Sequence, residues 1–171
     1  MATRTRSRLF TTTAVAALAL GWPSPATAEL GEWGLTFGAG ALGVDGEALT
    51  VAPTLSFALR YGVSDFWLVG ATLDGGPTFS DGLDGAFTLL SAELGYAVDI
   101  VTWVPRLTLG VGALTTFADA SRVDLALSAG LGLEYREDRD WALLFSGRYH
   151  YLPTDDASAF SLSFGLTLYF E

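Results

Sequence analysis

Large apolar residues alternate with small or polar residues along most of the chain, and the C-terminal segment shows the pattern most clearly. In SLSFGLTLYFE, large apolar residues occupy every second position up to Phe170, with serine, glycine and threonine between them. Successive side chains of a β-strand point to opposite faces of the sheet. The segment is therefore predicted to be a strand with one apolar face and one face of small side chains.

The same alternation predicts eight strands, at about 32–42, 48–61, 66–74, 86–98, 102–117, 122–136, 140–152 and 159–170. Most of them exceed the usual strand length, and all are long enough for a tilted strand to cross a bilayer, which takes ~9–11 residues. Compact connections alternate with looser ones near 43–47, 75–85, 118–121 and 153–158. The predicted fold class is all-β: an eight-stranded antiparallel up-and-down transmembrane β-barrel.

The first 28 residues follow a different pattern. Three arginines precede an apolar run, and small residues follow at Ala26 and Ala28. This order is typical of a secretory signal peptide that is cleaved after Ala28. A membrane anchor is the alternative, although the apolar run is short for a membrane span. The predicted organisation is a signal peptide at 1–28 and one barrel domain at 29–171.

Charge and composition narrow the function classes. Without the signal segment, six arginines stand against 19 acidic residues, a formal net charge of −13, and there is no lysine. This balance argues against nucleic acid as a partner. The absence of cysteine excludes disulfides, thiol catalysis and cysteine-bound metals. No metal site and no cofactor are predicted.

Aromatic residues cluster at one end of the predicted strands. A tryptophan opens each odd-numbered strand, and a tyrosine or phenylalanine closes each even-numbered one, on the apolar face. Such a ring is typical of the interface between a membrane and water. A soluble barrel with inward-facing large residues is the alternative, but its outer face would carry hardly any charge. The predicted aromatic girdle consists of Trp33, Tyr61, Trp67, Tyr96, Trp103, Tyr135, Trp141 and Phe170.

The signal segment, the eight alternating strands, the turn RYGVSDFW and the ending LTLYFE together resemble the OmpA-type family of small eight-stranded outer-membrane barrels. The resemblance covers residues 29–171. It implies export to the cell outer membrane, contact with outer-membrane lipids, and recognition of a terminal aromatic residue by the barrel assembly machinery. Glu171 follows Phe170 here, whereas the family usually ends on the aromatic residue itself. The resemblance implies periplasmic termini, and the oligomeric state is not predicted.

Five charged residues share the small-residue face and are predicted to line the lumen: Arg60, Glu93, Arg106, Glu134 and Arg148. Glu93, Arg106 and Glu134 lie on neighbouring strands, so a cross-strand ion network is expected there. Charges in a narrow lumen are costly unless they are paired. The predicted function is therefore a structural barrel, or at most a narrow pore gated by these ion pairs.

A lipid-handling barrel is the alternative function, either an enzyme acting on outer-leaflet lipid or a carrier of small apolar ligands. Phe87, Leu89 and Leu114 face inward and would line an apolar pocket, although simple core filling is the favoured account, because eight strands leave room for little beyond side chains. Lateral access would require a gap in the wall near Pro53 or Pro105, since proline removes a ladder donor.

Two further chemical possibilities carry less weight. His150 is the only histidine, and a lipid A-modifying hydrolase would need it beside a hydroxyl and a carboxylate. The position two residues after it is Leu152 and not serine, so no catalytic residue is assigned and no enzyme activity is expected. Asp74, Asp81 and Asp84 fall in or beside a glycine-rich segment that is predicted to be a loop, where carboxylates sometimes hold calcium.

Overall fold

The computed structural model describes residues 30–45, 50–80, 83–98, 102–117, 121–136 and 139–171. Its eight strands are β1 (Trp33–Asp45), β2 (Thr50–Gly62), β3 (Trp67–Ser80), β4 (Leu83–Ala97), β5 (Trp103–Phe117), β6 (Arg122–Tyr135), β7 (Trp141–Leu152) and β8 (Ala157–Phe170). Each strand pairs antiparallel with the next, and β8 pairs with β1 to close a barrel. The predicted signal peptide at 1–28 lies outside the described residues.

The large apolar side chains point away from the barrel axis. Leu55, Leu131 and Phe164 are each more than half exposed, whereas Thr167 between two outward residues of β8 is only 1% exposed. The small-residue face lines the lumen because an eight-stranded barrel leaves an interior just wide enough for side chains. No helix in the described part of the chain is long and apolar enough to cross a membrane.

The predicted girdle residues gather at one end of the barrel, called here the aromatic end, and the opposite end is called the loop end. Trp33 lies directly opposite Tyr61, and their rings are 4.8 Å apart. The pairs Trp67–Tyr96 and Trp103–Tyr135 repeat this arrangement at 5.2 and 4.9 Å. Phe170 is the partner of Trp33 across the closing β1–β8 pair, and Trp141 is opposite Leu168.

The strand boundaries differ most at the loop end between β3 and β4. The prediction of a loop at 75–85 is wrong, because β3 continues to Ser80 and β4 begins at Leu83. Glycine and proline are typical of turns, and this favoured a loop in the sequence analysis. In the structure Gly75, Gly76 and Pro77 are paired with residues of β4 in the antiparallel ladder. β1 also runs on to Asp45. By the strand bounds, no two strands joined at the loop end are separated by more residues than strands joined at the aromatic end. The predicted alternation of compact and looser connections is therefore wrong.

Two apolar clusters occupy the ends of the lumen. The loop-end cluster contains Phe87, Leu89 and Leu114, as expected from their inward positions, packed with Leu42, Leu152 and three alanines. Leu68, Ala97 and Val104 form a smaller cluster toward the aromatic end. Arg60, Glu93 and Arg148 lie between these clusters, whereas Arg106 and Glu134 are register partners of Ala97 and Val104 in the smaller cluster.

Candidate functional site

The aromatic-end cluster consists of Arg106, Glu134 and Tyr169. The guanidinium of Arg106 forms an ion pair with the carboxylate of Glu134 on the neighbouring strand, and both side chains are almost fully buried. The Tyr169 hydroxyl donates to Glu134 and accepts a 3.3 Å hydrogen bond from Arg106. Tyr169 belongs to β8, so this cluster ties the last strand to β5 and β6 through the lumen.

A second arginine covers the aromatic-end cluster on its outer side. Arg136, just after β6, stacks on the Tyr169 ring, with its guanidinium carbon 3.9 Å from the ring centroid. It also pairs with Glu32 just before β1, at 2.5 Å. A cation over an aromatic face is attracted by the ring quadrupole. The arrangement fastens both chain ends of the barrel to one another.

The mid-lumen cluster centres on Arg148 of β7. Its guanidinium crosses the lumen to the opposite wall, where it lies 3.1 Å from the Glu93 carboxylate and 3.4 Å from that of Asp74. Thr72 donates a 3.1 Å hydrogen bond to Glu93, and Ser56 donates one to Asp74. Each carboxylate therefore holds a hydroxyl donor besides the arginine. One cation is shared by two acidic groups across the full width of the barrel.

Arg60 is the buried cation with the weakest pairing. It is 6% exposed, and its Nη1 donates a 2.9 Å hydrogen bond to the hydroxyl of Thr36, which in turn contacts Thr167 at 2.8 Å. None of the ion pairs within the described part of the chain includes Arg60.

The expected network of Glu93, Arg106 and Glu134 is confirmed for Arg106 and Glu134 and is wrong for Glu93. Arg106 pairs with Glu134, whereas Glu93 turns to Arg148 on the far wall. Neighbouring strands alone do not decide partners, because a long arginine reaches across a narrow lumen as easily as along its wall. Asp74 and Tyr169 were missed, although both lie at inward positions of the alternating pattern, which was the available signal.

Three separate cavities of about 10 Å³ each lie along the lumen, and each has room for about one water molecule. The first touches the loop-end cluster and His150, the second lies beside Ser146 and Arg148, and the third lies between Arg60 and Arg106. Neighbouring spaces share lining residues, since Arg148 lines the first and the second, and Arg60 lines the second and the third. Each of these three spaces is therefore narrowed by charged side chains that reach into the lumen.

His150 is 2% exposed inside the barrel, with its Nε2 3.0 Å from the hydroxyl of Ser161. Its Nδ1 is buried and has no hydrogen-bond partner among the described residues. A hydrolytic triad needs a carboxylate on that nitrogen to orient the base. The geometry thus supplies a hydroxyl but neither the orienting acid nor access for a substrate.

The possible calcium group considered in the sequence analysis loses one of its three members. Asp74 is a lumen residue of β3 held by Ser56 and Arg148, and it does not belong to a loop. Asp81 lies outside the described residues, as does the side chain of Asp84. In the described ranges, no group of three or more histidine, cysteine, aspartate or glutamate residues is arranged to hold a metal ion.

The β2–β3 pairing ends early, at Leu55 opposite Gly75, although both strands continue toward the loop end. Val63 N–H donates to the carbonyl of Trp67 at 2.9 Å, and hydrogen-bonded pairs recur at every second residue from there. The next such pair beyond Leu55 and Gly75 is Pro53 with Pro77. Neither residue has an N–H group, so both bonds of this pair are lost.

The rest of the wall remains continuous at the prolines. Pro77 is still paired with Ala86 on β4, and Pro53 with Ala41 on β1, because their missing donors face only the β2–β3 side. Pro105 causes no comparable gap, since its carbonyl accepts a 3.1 Å bond from Val98 and it pairs with Leu133. Of the two gap positions expected from the sequence, only Pro53 interrupts the hydrogen-bond ladder, and the wall is not open there, because the Pro53 carbonyl lies against Gly76 of β3.

The sequence matches the outer membrane protein β-barrel domain family over residues 12–170. No curated protein is similar enough to count as a match. Neisserial surface protein A is similar in structure, with a TM-score of 0.67, 15% identity, and coverage of 85% of this chain and 99% of that chain. The attachment invasion locus protein Ail of Yersinia pestis has a TM-score of 0.58 at 20% identity, covering 82% and 99%. For OprG from Pseudomonas aeruginosa the TM-score is 0.63 at 14% identity, covering 82% and 96%.

Proposed function

The chain belongs to the outer membrane protein β-barrel family and is an integral outer-membrane protein, and we propose that it acts as a closed structural barrel without enzyme activity. The observation that carries the proposal is the side chain of Arg148, which spans the lumen to Glu93 and Asp74. Breaking these contacts would leave two buried carboxylates without their cation, which is strongly unfavourable. The barrier is thus held by electrostatics as well as by packing.

We further propose the orientation and partners of the barrel. The aromatic end faces the periplasm, so that the girdle lies at the inner interface of the outer membrane and the loop end faces outward. Outer-membrane lipids contact the exposed apolar face, and the barrel assembly machinery inserts the chain after a signal peptide at 1–28 is removed. The tyrosine and tryptophan pairs support the placement of the aromatic end at a membrane interface, because such residues favour interfaces. The periplasmic side is proposed from the resemblance to OmpA-type barrels.

Planar-bilayer recording of the refolded protein beside an Arg148→Ala variant tests the closed lumen. The unmodified barrel is expected to be silent. The variant is expected to show small, discrete, cation-selective openings, because it removes the side chain that fills the lumen and leaves Glu93 and Asp74 negative. Arg122→Ala serves as the matched control, since this arginine is half exposed at the loop end and binds Asp124 and Asp155 outside the barrier.

Heat-modifiable gel migration would verify that each variant is folded before it is recorded. Steady current through the unmodified barrel would contradict a closed lumen. Equal behaviour of the Arg148 and Arg122 variants would contradict the assignment of the barrier to Arg148.

A second candidate function, lipid handling, is favoured by one observation, the early end of the β2–β3 ladder at Pro53 and Pro77. This interruption lies near the loop-end apolar cluster, where an acyl chain from the membrane would arrive. The space inside argues against it, because the neighbouring cavity measures about 10 Å³. Phe87 and Leu89 would have to move before a chain could be accommodated.

Hydrogen exchange measured in lipid nanodiscs tests the interruption itself. The amides of Val51 and Phe79 lie beyond the last paired residues of the β2–β3 ladder. They are expected to exchange much faster than those of Phe57 and Leu73, which lie in the intact ladder. Joint replacement of both prolines by threonine restores two donors and is expected to slow this exchange. Pro105→Thr is the control that leaves it unchanged. Slow exchange at Val51 and Phe79 in the unmodified protein would show that the wall is closed and would remove the basis for lateral access.

A further inference from the structure

The cavity between Arg60 and Arg106 gathers most of the unpartnered polar atoms of the lumen. Four buried side-chain atoms of its lining have no hydrogen-bond partner among the described residues: Nε of Arg60, Nε and Nη1 of Arg106, and Oε2 of Glu93. Their side chains are all more than nine-tenths buried. A buried polar group left without a partner costs free energy, and a charged one costs more. Their concentration around one cavity points to a bound group that provides hydrogen-bond partners for most of them.

The chemistry of the four atoms defines that group. Three are guanidinium N–H donors and the fourth is a carboxylate acceptor, so the ligand has to accept and donate at once. A monatomic anion would satisfy the arginines but would face the Glu93 oxygen. The charges near the cavity also balance, because Arg60, Arg106 and Arg148 are matched by three carboxylates: Asp74, Glu93 and Glu134. A neutral ligand therefore fits better than a charged one.

We propose that this cavity binds a single water molecule, which accepts hydrogen bonds from Arg60 and Arg106 and donates one to Glu93. The cavity volume of about 10 Å³ matches one water, and the lining supplies the 2–4 polar partners that a buried water needs. In the described residues no direct hydrogen bond or ion pair joins the aromatic-end cluster to the mid-lumen cluster. The water joins them into one network, and it supplies Arg60 with a polar partner in place of a carboxylate. This inference holds whether or not the barrel conducts.

The sharpest test is a glycine that lines the cavity. A Cβ added at Gly95 would meet only side-chain and carbonyl atoms at 3.4 Å or more, so alanine fits without moving the backbone. Because Gly95 lines a cavity with room for one water, the new methyl group is expected to take up the space that the water needs. Gly95→Ala is therefore expected to unfold about tenfold faster in urea, because the charged groups lose their bridging hydrogen bonds. In a dry cavity the same substitution would fill a void and restrict the unfolded chain, and unfolding would slow.

Gly132→Ala is the matched control. Gly132 also faces the lumen, its added Cβ would meet its nearest neighbour at 3.3 Å, and it lines none of the three cavities. The unfolding rate of Gly132→Ala is expected to differ from that of the unmodified protein by much less than tenfold. Comparison with this control separates loss of the water from the general effect of a methyl group in the lumen.

A direct measurement accompanies the variants. Nuclear Overhauser contacts between water and the Nε protons of Arg60 and Arg106, recorded in deuterated lipid nanodiscs, are expected in the unmodified protein and are expected to vanish in Gly95→Ala. Absence of these contacts, or slower unfolding of Gly95→Ala, would overturn the proposal. A shift in stability when chloride is replaced by gluconate would also overturn it, because it would assign the cavity to an anion.

Discussion

Arg106→Ala is expected to lower the free energy of unfolding by about 3–5 kcal/mol, the cost of removing one partner from a buried ion pair. The Glu134 carboxylate is 1% exposed and would lose its cation while keeping only the Tyr169 hydroxyl. The Tyr169 ring and the Arg136 guanidinium stacked on it cover this end of the lumen, which limits replacement of the lost guanidinium by water. Reversible urea unfolding in lipid vesicles, followed by tryptophan fluorescence, measures the change.

The joint variant Arg106→Leu with Glu134→Leu is the control for this expectation. Removing both charges leaves no uncompensated carboxylate, so the double variant is expected to be far more stable than Arg106→Ala, and close to the unmodified protein. Equal destabilisation of the two variants would mean that packing of the arginine stem, and not its charge, supports the cluster. A double-mutant cycle through Glu134→Leu would then apportion the effect.

Gly40→Ala is expected to cost about 3 kcal/mol, at the upper end of the range for overpacking. Gly40 faces the lumen on β1, opposite Ser163 of β8. A Cβ there would overlap the backbone carbonyl of Leu162 and lie 2.8 Å from the Cα of Ser163. Backbone atoms cannot rotate away as a side chain does, so the β1–β8 pair that closes the barrel would have to separate locally. Urea unfolding and heat-modifiable migration measure the loss.

Gly34→Ala is the matched control, because Gly34 is also a lumen-facing glycine of β1 that is paired with a residue of β8. The nearest atom to its added Cβ is a side-chain carbon of Tyr169 at 3.2 Å, which can give way. Its expected cost is about 0–1 kcal/mol. If the two variants unfold at the same urea concentration, the close approach of β1 and β8 at Gly40 is not a constraint on closure.

The surroundings of the charged residues support the proposed closed lumen. Arg60, Glu93 and Arg148 lie between the loop-end apolar cluster and the smaller one at the aromatic end. Ion pairs in such surroundings are little screened by solvent. A narrow pore would need water on both sides of the pairs, and the three spaces described above hold about 10 Å³ each.

Expectations based on turn residues were the least reliable part of the sequence interpretation. Gly75, Gly76 and Pro77 indicate a loop by type, yet all three lie within β3. Glycine is needed at position 76, since a Cβ there would overlap the carbonyl of Pro53 on the adjacent strand β2. Pro77 is tolerated because its nitrogen faces β2, where the ladder has already ended. Residue type alone does not tell which neighbour a backbone nitrogen faces.

Alternation of side chains determined the barrel from the sequence alone. A period of two assigns every residue to one face, and the apolar face of such long strands has to meet lipid, so strand number, facing and the aromatic girdle all followed. The tertiary structure alone decided which lumen charges pair, that Asp74 and Tyr169 belong to the clusters, and where the wall loses its hydrogen bonds. These depend on register and on how far a side chain reaches across the lumen, and those distances exist only after eight strands have closed on one another.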